Sequence, residues 1–309
     1  MRYLVTGATG FVGQCLLRHL VRLGHEVTAL VRDGRSVPGG FPGLRTVEGD
    51  LATGAGLAAA AEGADRVVHL AAVTKARTHL GYAEVNTRGT GRLCAVLAAF
   101  PEPPRLVLCS SLAAAGPGRQ RREEDPPSPV SAYGRSKLGG ELALRAHADR
   151  LPGVVVRPPI VYGPGDREFV PRLVKAVRAG MLPAVGRRGP RRYSLIHVDD
   201  LCRALLTAAE SGEAGAVYHV SDGIEHRWER IGAVTAAVLG CRPPRVIHIP
   251  APLAVVAGHA GRLTGASLLN PDKVAELRHP AWTCAVGRLP FVPAVTLPAG
   301  LTTALAAYR

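Results

Sequence analysis

After Met1 the chain reads RYLVTG and passes through TGATGFVG into FVGQCLLRHLVRLG. A β-rich run, three glycines and an apolar helical pattern in that order leave few folds open. The glycines are Gly7, Gly10 and Gly13. A glycine-rich turn from strand to helix lets main-chain N–H groups come close to a pyrophosphate, and the helix N-terminus adds partial positive charge. Gly13 allows the helix to lie close on the sheet. Thr9, Phe11 and Val12 complete the contacts expected of such a turn. The position of the turn, after a strand and opening a helix, raises it above a chance run of glycines.

The next segments keep the same rhythm. HEVTALVR from His25, LRTVEGD from Leu44, RVVHLAA from Arg66, RLVLCSS from Arg105 and VVVRP from Val154 read as strands. The segments starting at Ala83 and Tyr133 read as helices between them. Alternation of this kind predicts an α/β fold, a Rossmann-type doubly wound parallel sheet. After Pro158 the composition changes to Gly- and Pro-rich stretches around short helices. The expected division is a dinucleotide-binding domain from 1–160 and 191–222. A smaller, mostly C-terminal substrate-binding domain takes 161–190 and 223–309. The polar, Pro-rich stretch from Gly116 to Pro129 reads as a mobile loop.

Composition excludes several classes. With 309 residues and 47% hydrophobic content there is ample material for a core. No segment has the length and purity of a transmembrane helix, and no signal peptide is read at the N-terminus, so a cytoplasmic protein is expected. The formal charge is +14, but the arginines are dispersed and aromatics are 5%. A solvated basic surface is expected, with no nucleic-acid or membrane partner. The six cysteines form no CxxC pair and read as small buried hydrophobes. No metal spacing appears, so no metal is expected.

At the end of the second strand, Arg32 stands where a ribose 2′-phosphate is met, with Asp33 displaced beyond it. NADP is therefore favoured over NAD. In the counter-reading Asp33 holds the ribose of NAD. Asp50 and Leu51 flank the adenine, although Asp50 also suits a helix N-cap.

Of 38 basic residues only Lys75, Lys137, Lys175 and Lys273 are lysines. Lys137 stands one helical turn after Tyr133, so phenol and ammonium share a face. A neighbouring ammonium lowers a phenol pKa, and Tyr133 becomes a candidate acid–base group near neutral pH. Ser111, at the end of the preceding strand, can hold the substrate oxygen. Lys137 also reaches the nicotinamide ribose. Candidate substrate-side residues are Thr74, Lys75, Ser111, Tyr133 and Arg191, the last within an arginine cluster (Arg187, Arg188, Arg191, Arg192) that otherwise reads as a solvated face. His197 reads as a buried or hinge histidine, and Asp199 as the cap of the helix that follows.

Together these motifs resemble the extended short-chain dehydrogenase/reductase family, which holds nucleotide-sugar epimerases, dehydratases and dihydroflavonol- and 3β-hydroxysteroid-type reductases. TGATGFVG is similar to its cofactor turn and GDL from Gly49 to its adenine contact. HLAA, with Leu70, Ala71 and Ala72, is similar to the wall beside the cofactor. The resemblance implies that Asn86 orders the active-site helix and a water relay. It implies a Ser111, Tyr133 and Lys137 catalytic set, and nicotinamide contacts from VRPPIVYGPGD, with Pro158 and Ile160. It also implies a homodimer. The chain departs from the sugar enzymes in three places. Ala115 replaces a tyrosine, Leu112 and Ala113 replace the acid pair of the 4,6-dehydratases, and NPDKVAEL from Asn270 stands in place of a diphosphate-gripping arginine motif. Reduction of a ketone on a small organic substrate is the leading expectation. A nucleotide-sugar 4-epimerase using bound NAD is the alternative. The third possibility, a non-catalytic NADPH-binding protein, sits poorly with the intact catalytic set.

Overall fold

The computed structural model describes residues 1–32, 36–76, 78–256 and 271–308. Asp33 therefore lies outside the described residues. Seven parallel strands form the main sheet. They are β1 (Arg2–Thr6), β2 (Glu26–Val31), β3 (Leu44–Glu48), β4 (Arg66–His69), β5 (Arg105–Cys109), β7 (Gly153–Arg157) and β12 (Val217–His219), in the order β12-β7-β5-β4-β1-β2-β3. The sheet grows in one direction from β1 through β2 and β3, then in the other through β4 and β5. A crevice opens outside the carboxyl ends of the strands where that order reverses.

Period-two alternation explains why both faces are covered. Val5, Val68 and Val107 point to one face, where they pack with Leu16, Leu17 and Leu20 of α1 (Phe11–Arg22) and Leu201 and Leu205 of α8 (Val198–Ser211). Leu4, Val67 and Leu106 point to the other, against Leu57 of α2 (Leu57–Ala61) and Leu93 and Leu97 of α4 (Thr90–Ala98). Each such leucine, fully removed from water, contributes about 1.5–3 kcal/mol before entropy is counted.

The remaining strands build smaller sheets. They are β6 (Gly118–Arg121), β8 (Ile160–Tyr162), β9 (Met181–Val185), β10 (Arg192–Tyr193), β11 (Leu195–His197), β13 (His226–Arg227), β14 (Arg245–Ile249) and β15 (Ala281–Cys284). One sheet has the order β13-β10-β15-β6, and β11-β8 and β14-β9 form pairs. A separate apolar cluster joins α7 (Phe169–Arg178), α9 (Trp228–Leu239) and α11 (Leu297–Ala304) through Leu173, Ile231 and Leu301.

Two expectations are corrected here. The 116–129 stretch is not a free loop. It supplies β6, which pairs in parallel with β15, and Arg121 donates to the carbonyls of Ala115 and Pro126 at 2.9 and 2.7 Å. The cap of α8 is His197, not Asp199. The His197 ring accepts from the Asp199 N–H at 3.3 Å, and the ring is buried as expected.

Candidate active site

The turn after β1 fits a dinucleotide pyrophosphate. Gly10 caps α1 without any side-chain hydrogen bond, and the first turn of α1 carries no acid. A Cβ on Gly10 would meet only the Gly7 carbonyl, so the outward side is bare main chain. Behind it the packing leaves no room, because a Cβ on Gly13 would lie 2.2 Å from the Gly7 oxygen. Gly7 itself has φ +73°, a left-handed value that a side chain rarely tolerates.

The wall beside the turn is tied to β1 and to the catalytic helix. His69 is buried between the hydroxyls of Thr6 at 2.6 Å and Thr90 at 3.0 Å. Burial holds its pKa down at about 3, and the Lys137 charge adds to that. The ring is therefore a neutral strut. The N–H of Ala71 donates to Thr6 Oγ1 at 3.2 Å. Asn86 follows in a six-residue π-helical turn, Glu84–Gly89, between α3 (His79–Ala83) and α4. Such turns are frequent at functional sites. Its amide donates to Val73 O at 3.0 Å and to Ser136 Oγ at 2.9 Å, and accepts from the Val73 N–H at 2.8 Å. Asn86 is thus an anchor between the 70–73 wall and the catalytic helix. Its side chain is fully engaged with Val73 and Ser136.

The helix α6 (Ala132–Arg145), which carries the candidate catalytic residues Tyr133 and Lys137, starts at Ser131, whose hydroxyl accepts from the Gly134 N–H at 3.0 Å. Tyr133 is half-buried on its first turn, edge-on to Tyr82 with ring centroids 6.3 Å apart. Ser111 caps the short helix α5 (Leu112–Ala115), accepting from the Ala113 N–H at 3.1 Å. Burial pushes the Tyr133 phenol well above its ordinary value, and the Cys109 thiol adds to that; hydrogen bonding with Ser111 works the other way. This reverses the expected direction. Lys137 lies one turn along α6 from the phenol. It is buried and donates to the carbonyl of Cys109 at 2.7 Å, and burial lowers its own pKa.

Several residues that matter here carried no sequence signal. Glu141, one turn beyond Lys137, accepts from Ser110 Oγ and takes the Arg157 guanidinium in two hydrogen bonds at 2.9 and 2.6 Å. All three side chains are buried. From α10 (Pro271–Leu277), Asp272 accepts from the Ala132 N–H and Glu276 from the Ser131 hydroxyl, both at 2.8 Å. Within NPDKVAEL, Asn270 lies outside the described residues, and the two acids fasten the start of the catalytic helix.

Other expected residues are placed as follows. Leu51 is buried, and Asp50 forms a tight turn, accepting from the Ala52 N–H at 2.8 Å. The Pro158 carbonyl accepts from the Leu112 N–H at 2.8 Å, tying the end of β7 to the serine segment, and Ile160 opens β8. Arg32 is exposed and lines an open groove of about 570 Å3 with Ser36, Phe41 and Glu48. This groove lies at the β2–β3 edge, not at Tyr133. Thr74 is exposed, and Lys75 forms an ion pair with Glu168. Arg191 departs from both readings made for it. It is 2% exposed and donates to the carbonyls of Val185, Leu277 and His279. It is therefore neither solvated nor free to meet a substrate.

The comparisons with known proteins accord with this geometry. A model of the NAD dependent epimerase/dehydratase family matches residues 3–221. The chain belongs to that family. It is an NAD(P)-dependent oxidoreductase of the extended short-chain dehydrogenase/reductase class. This oxidoreductase is 35% identical to a ceramide reductase of Caulobacter vibrioides over 287 residues, covering 90% of this chain and 84% of the relative. It is 32% identical over 290 residues to the 4-hydroxy-2-methyl-3-oxo-4-farnesyl-3,4-dihydroquinoline-1-oxide ketoreductase of Stigmatella aurantiaca, covering 90% and 85%. Among solved structures it resembles MoeE5 in complex with UDP-glucuronic acid and NAD, with TM-score 0.80, 28% identity and coverage of 100% and 99%. Among the described residues, no helix of the oxidoreductase is long and apolar enough to cross a membrane.

Proposed function

We propose that this oxidoreductase uses NADPH to reduce a ketone next to a long apolar chain, with Tyr133 as the proton donor. The observation that carries the reading is the surroundings of Ser111. A hydroxyl and a phenol stand together there, and Leu112 and Ala113, both buried, occupy the place of a dehydratase acid pair. Two relatives whose names denote reduction of large apolar molecules support the same direction.

The nicotinamide, when bound, supplies the hydride. The chain does the rest. Ser111 fixes the carbonyl oxygen by a hydrogen bond. A phenol raised by burial stays protonated at neutral pH and is ready to give its proton to that oxygen as negative charge develops. Lys137, held by the Cys109 carbonyl, would hold the nicotinamide ribose with its remaining protons when the cofactor is bound. Asn86, Glu141, Asp272 and Glu276 keep α6 in place, and positioning of this kind is a large part of the barrier reduction. Arg32, exposed and without an ion-pair partner among the described residues, supports a 2′-phosphate at the end of β2.

The test is NADPH oxidation with long-chain 3-oxo substrates, read by absorbance and product mass. Stoichiometric NADPH loss with formation of the alcohol supports the reading. A second reading, epimerisation of a nucleotide sugar, is favoured by the likeness to the MoeE5 complex. Protein that purifies with tightly held NAD and interconverts UDP-sugars without net turnover would replace the first reading with the second.

A further inference from the structure

Away from the cofactor crevice, two thiols, an imidazole and a carboxylate converge where α1 crosses α8. Cys15 and His19 are one turn apart on α1, and Asp199 and Cys202 share the first turns of α8. Donor atoms of Cys15, His19 and Cys202 all lie within 4.8 Å of one another. One oxygen of Asp199 lies 3.1 Å from Cys15 Sγ and 3.1 Å from His19 Nε2. Both thiols are buried, while the side chains of His19 and Asp199 are 18% and 49% exposed. The cluster therefore has a sulfur floor and a polar mouth.

We propose that Cys15, His19 and Cys202, with Asp199 as the fourth donor, bind a thiophilic divalent cation of the zinc class. Four-coordinate zinc, with bonds of about 2.3 Å to sulfur and 2.0–2.2 Å to nitrogen and oxygen, places its donors roughly 3.3–3.8 Å apart. The Cys15, His19 and Cys202 donors, all within 4.8 Å of one another, need to close by at most about 1.5 Å to reach that range, and Asp199 enters from the Cys15–His19 side. Two sulfurs and an imidazole select zinc or its soft neighbours over magnesium and calcium. On binding, each thiol gives up its proton to solvent and the sulfur becomes a ligand, with no change of oxidation state. The sequence hides the site because its halves are about 180 residues apart and neither half is a CxxC or HxxxH motif. A bound ion would tie the helix that carries the pyrophosphate turn to α8, the helix that follows β11.

The test uses the full chain, reduced and stripped with a chelator, and Co2+ as the probe. One equivalent should produce thiolate-to-cobalt charge transfer and the strong visible bands of a tetrahedral site, and Zn2+ should abolish both. His19→Ala, which leaves both buried thiols in place, should weaken binding beyond the roughly 10–100-fold typical of losing an outer-shell partner. Cys15→Ser and Cys202→Ser should remove the charge-transfer band, and Cys241→Ser should leave it. One equivalent of Zn2+ should raise Tm in the native sequence and not in His19→Ala. Absence of the tetrahedral spectrum, its survival in both serine variants, or formation of a Cys15–Cys202 disulfide in place of metal uptake would each overturn the proposal.

Discussion

Glu141 and Arg157 are joined by two hydrogen bonds, Nε to Oε1 at 2.9 Å and Nη2 to Oε2 at 2.6 Å, one helical turn beyond Lys137. The pair locks α6 onto the end of β7, and Ser110 joins it from β5. Tyr133 and Lys137 thus ride on a helix whose inner face is pinned by charge.

Removing one side of a buried pair leaves the other charge uncompensated, which costs about 3–5 kcal/mol. Glu141→Gln should therefore lower Tm by roughly 5 °C or more in a thermal melt. Glu141→Leu combined with Arg157→Met should recover part of that loss. A melt unchanged by Glu141→Gln would contradict the assignment.

Tyr133→Phe keeps the ring and its contact with Tyr82 but removes the proton. A lost general acid typically costs about 10²–10⁴-fold in rate. Turnover with a ketone should fall by that order, while NADPH affinity, measured by fluorescence titration, stays within a few fold. Near-full activity would exclude the phenol as donor.

Arg32→Ala should weaken NADPH far more than NADH. Glu48 lines the same groove and opposes a phosphate there, so Glu48→Gln should shift preference toward NADPH. Equal losses for the two nucleotides in Arg32→Ala would remove the case for a 2′-phosphate contact.

His69 titrates at about 3 in the folded chain because burial opposes its charge. Its unfolded value is near 6.5. Between those pH values the unfolded chain binds more protons, so stability is highest above about pH 6.5 and declines as pH falls toward 3. Denaturant melts of His69→Asn should show a shallower slope over that window, whatever the change in absolute stability. An unaltered slope would mean that other groups dominate acid unfolding.

Much of this molecule was legible in its sequence because the relevant physics is local. Strands β1, β2, β4, β5 and β7 announce themselves as short apolar runs. The glycine turn and the Tyr133–Lys137 spacing need only a few neighbouring residues. What escaped depends on partners far along the chain. β6 lies in a Pro-rich stretch whose pairing strand, β15, comes some 160 residues later. Glu141 looks like any helix-surface acid until Arg157 folds beneath it. Arg191 belongs to an arginine-rich run, yet three main-chain carbonyls draw it inside. The direction of the Tyr133 shift was also out of reach, since it is set by burial that no spacing encodes.

The pairing of β6 with β15 also decides which of the contacts between distant segments part easily. Ion pairs from Arg119 to Glu225 and from Glu124 to Arg288 reinforce that seam. Main-chain pairing and charge thereby hold the 118–124 segment against the C-terminal stretch. By contrast, Lys75 and Glu168 meet in an exposed pair worth at most about 1 kcal/mol. Parting that pair costs little, whereas parting β6 from β15 breaks a strand ladder and two ion pairs.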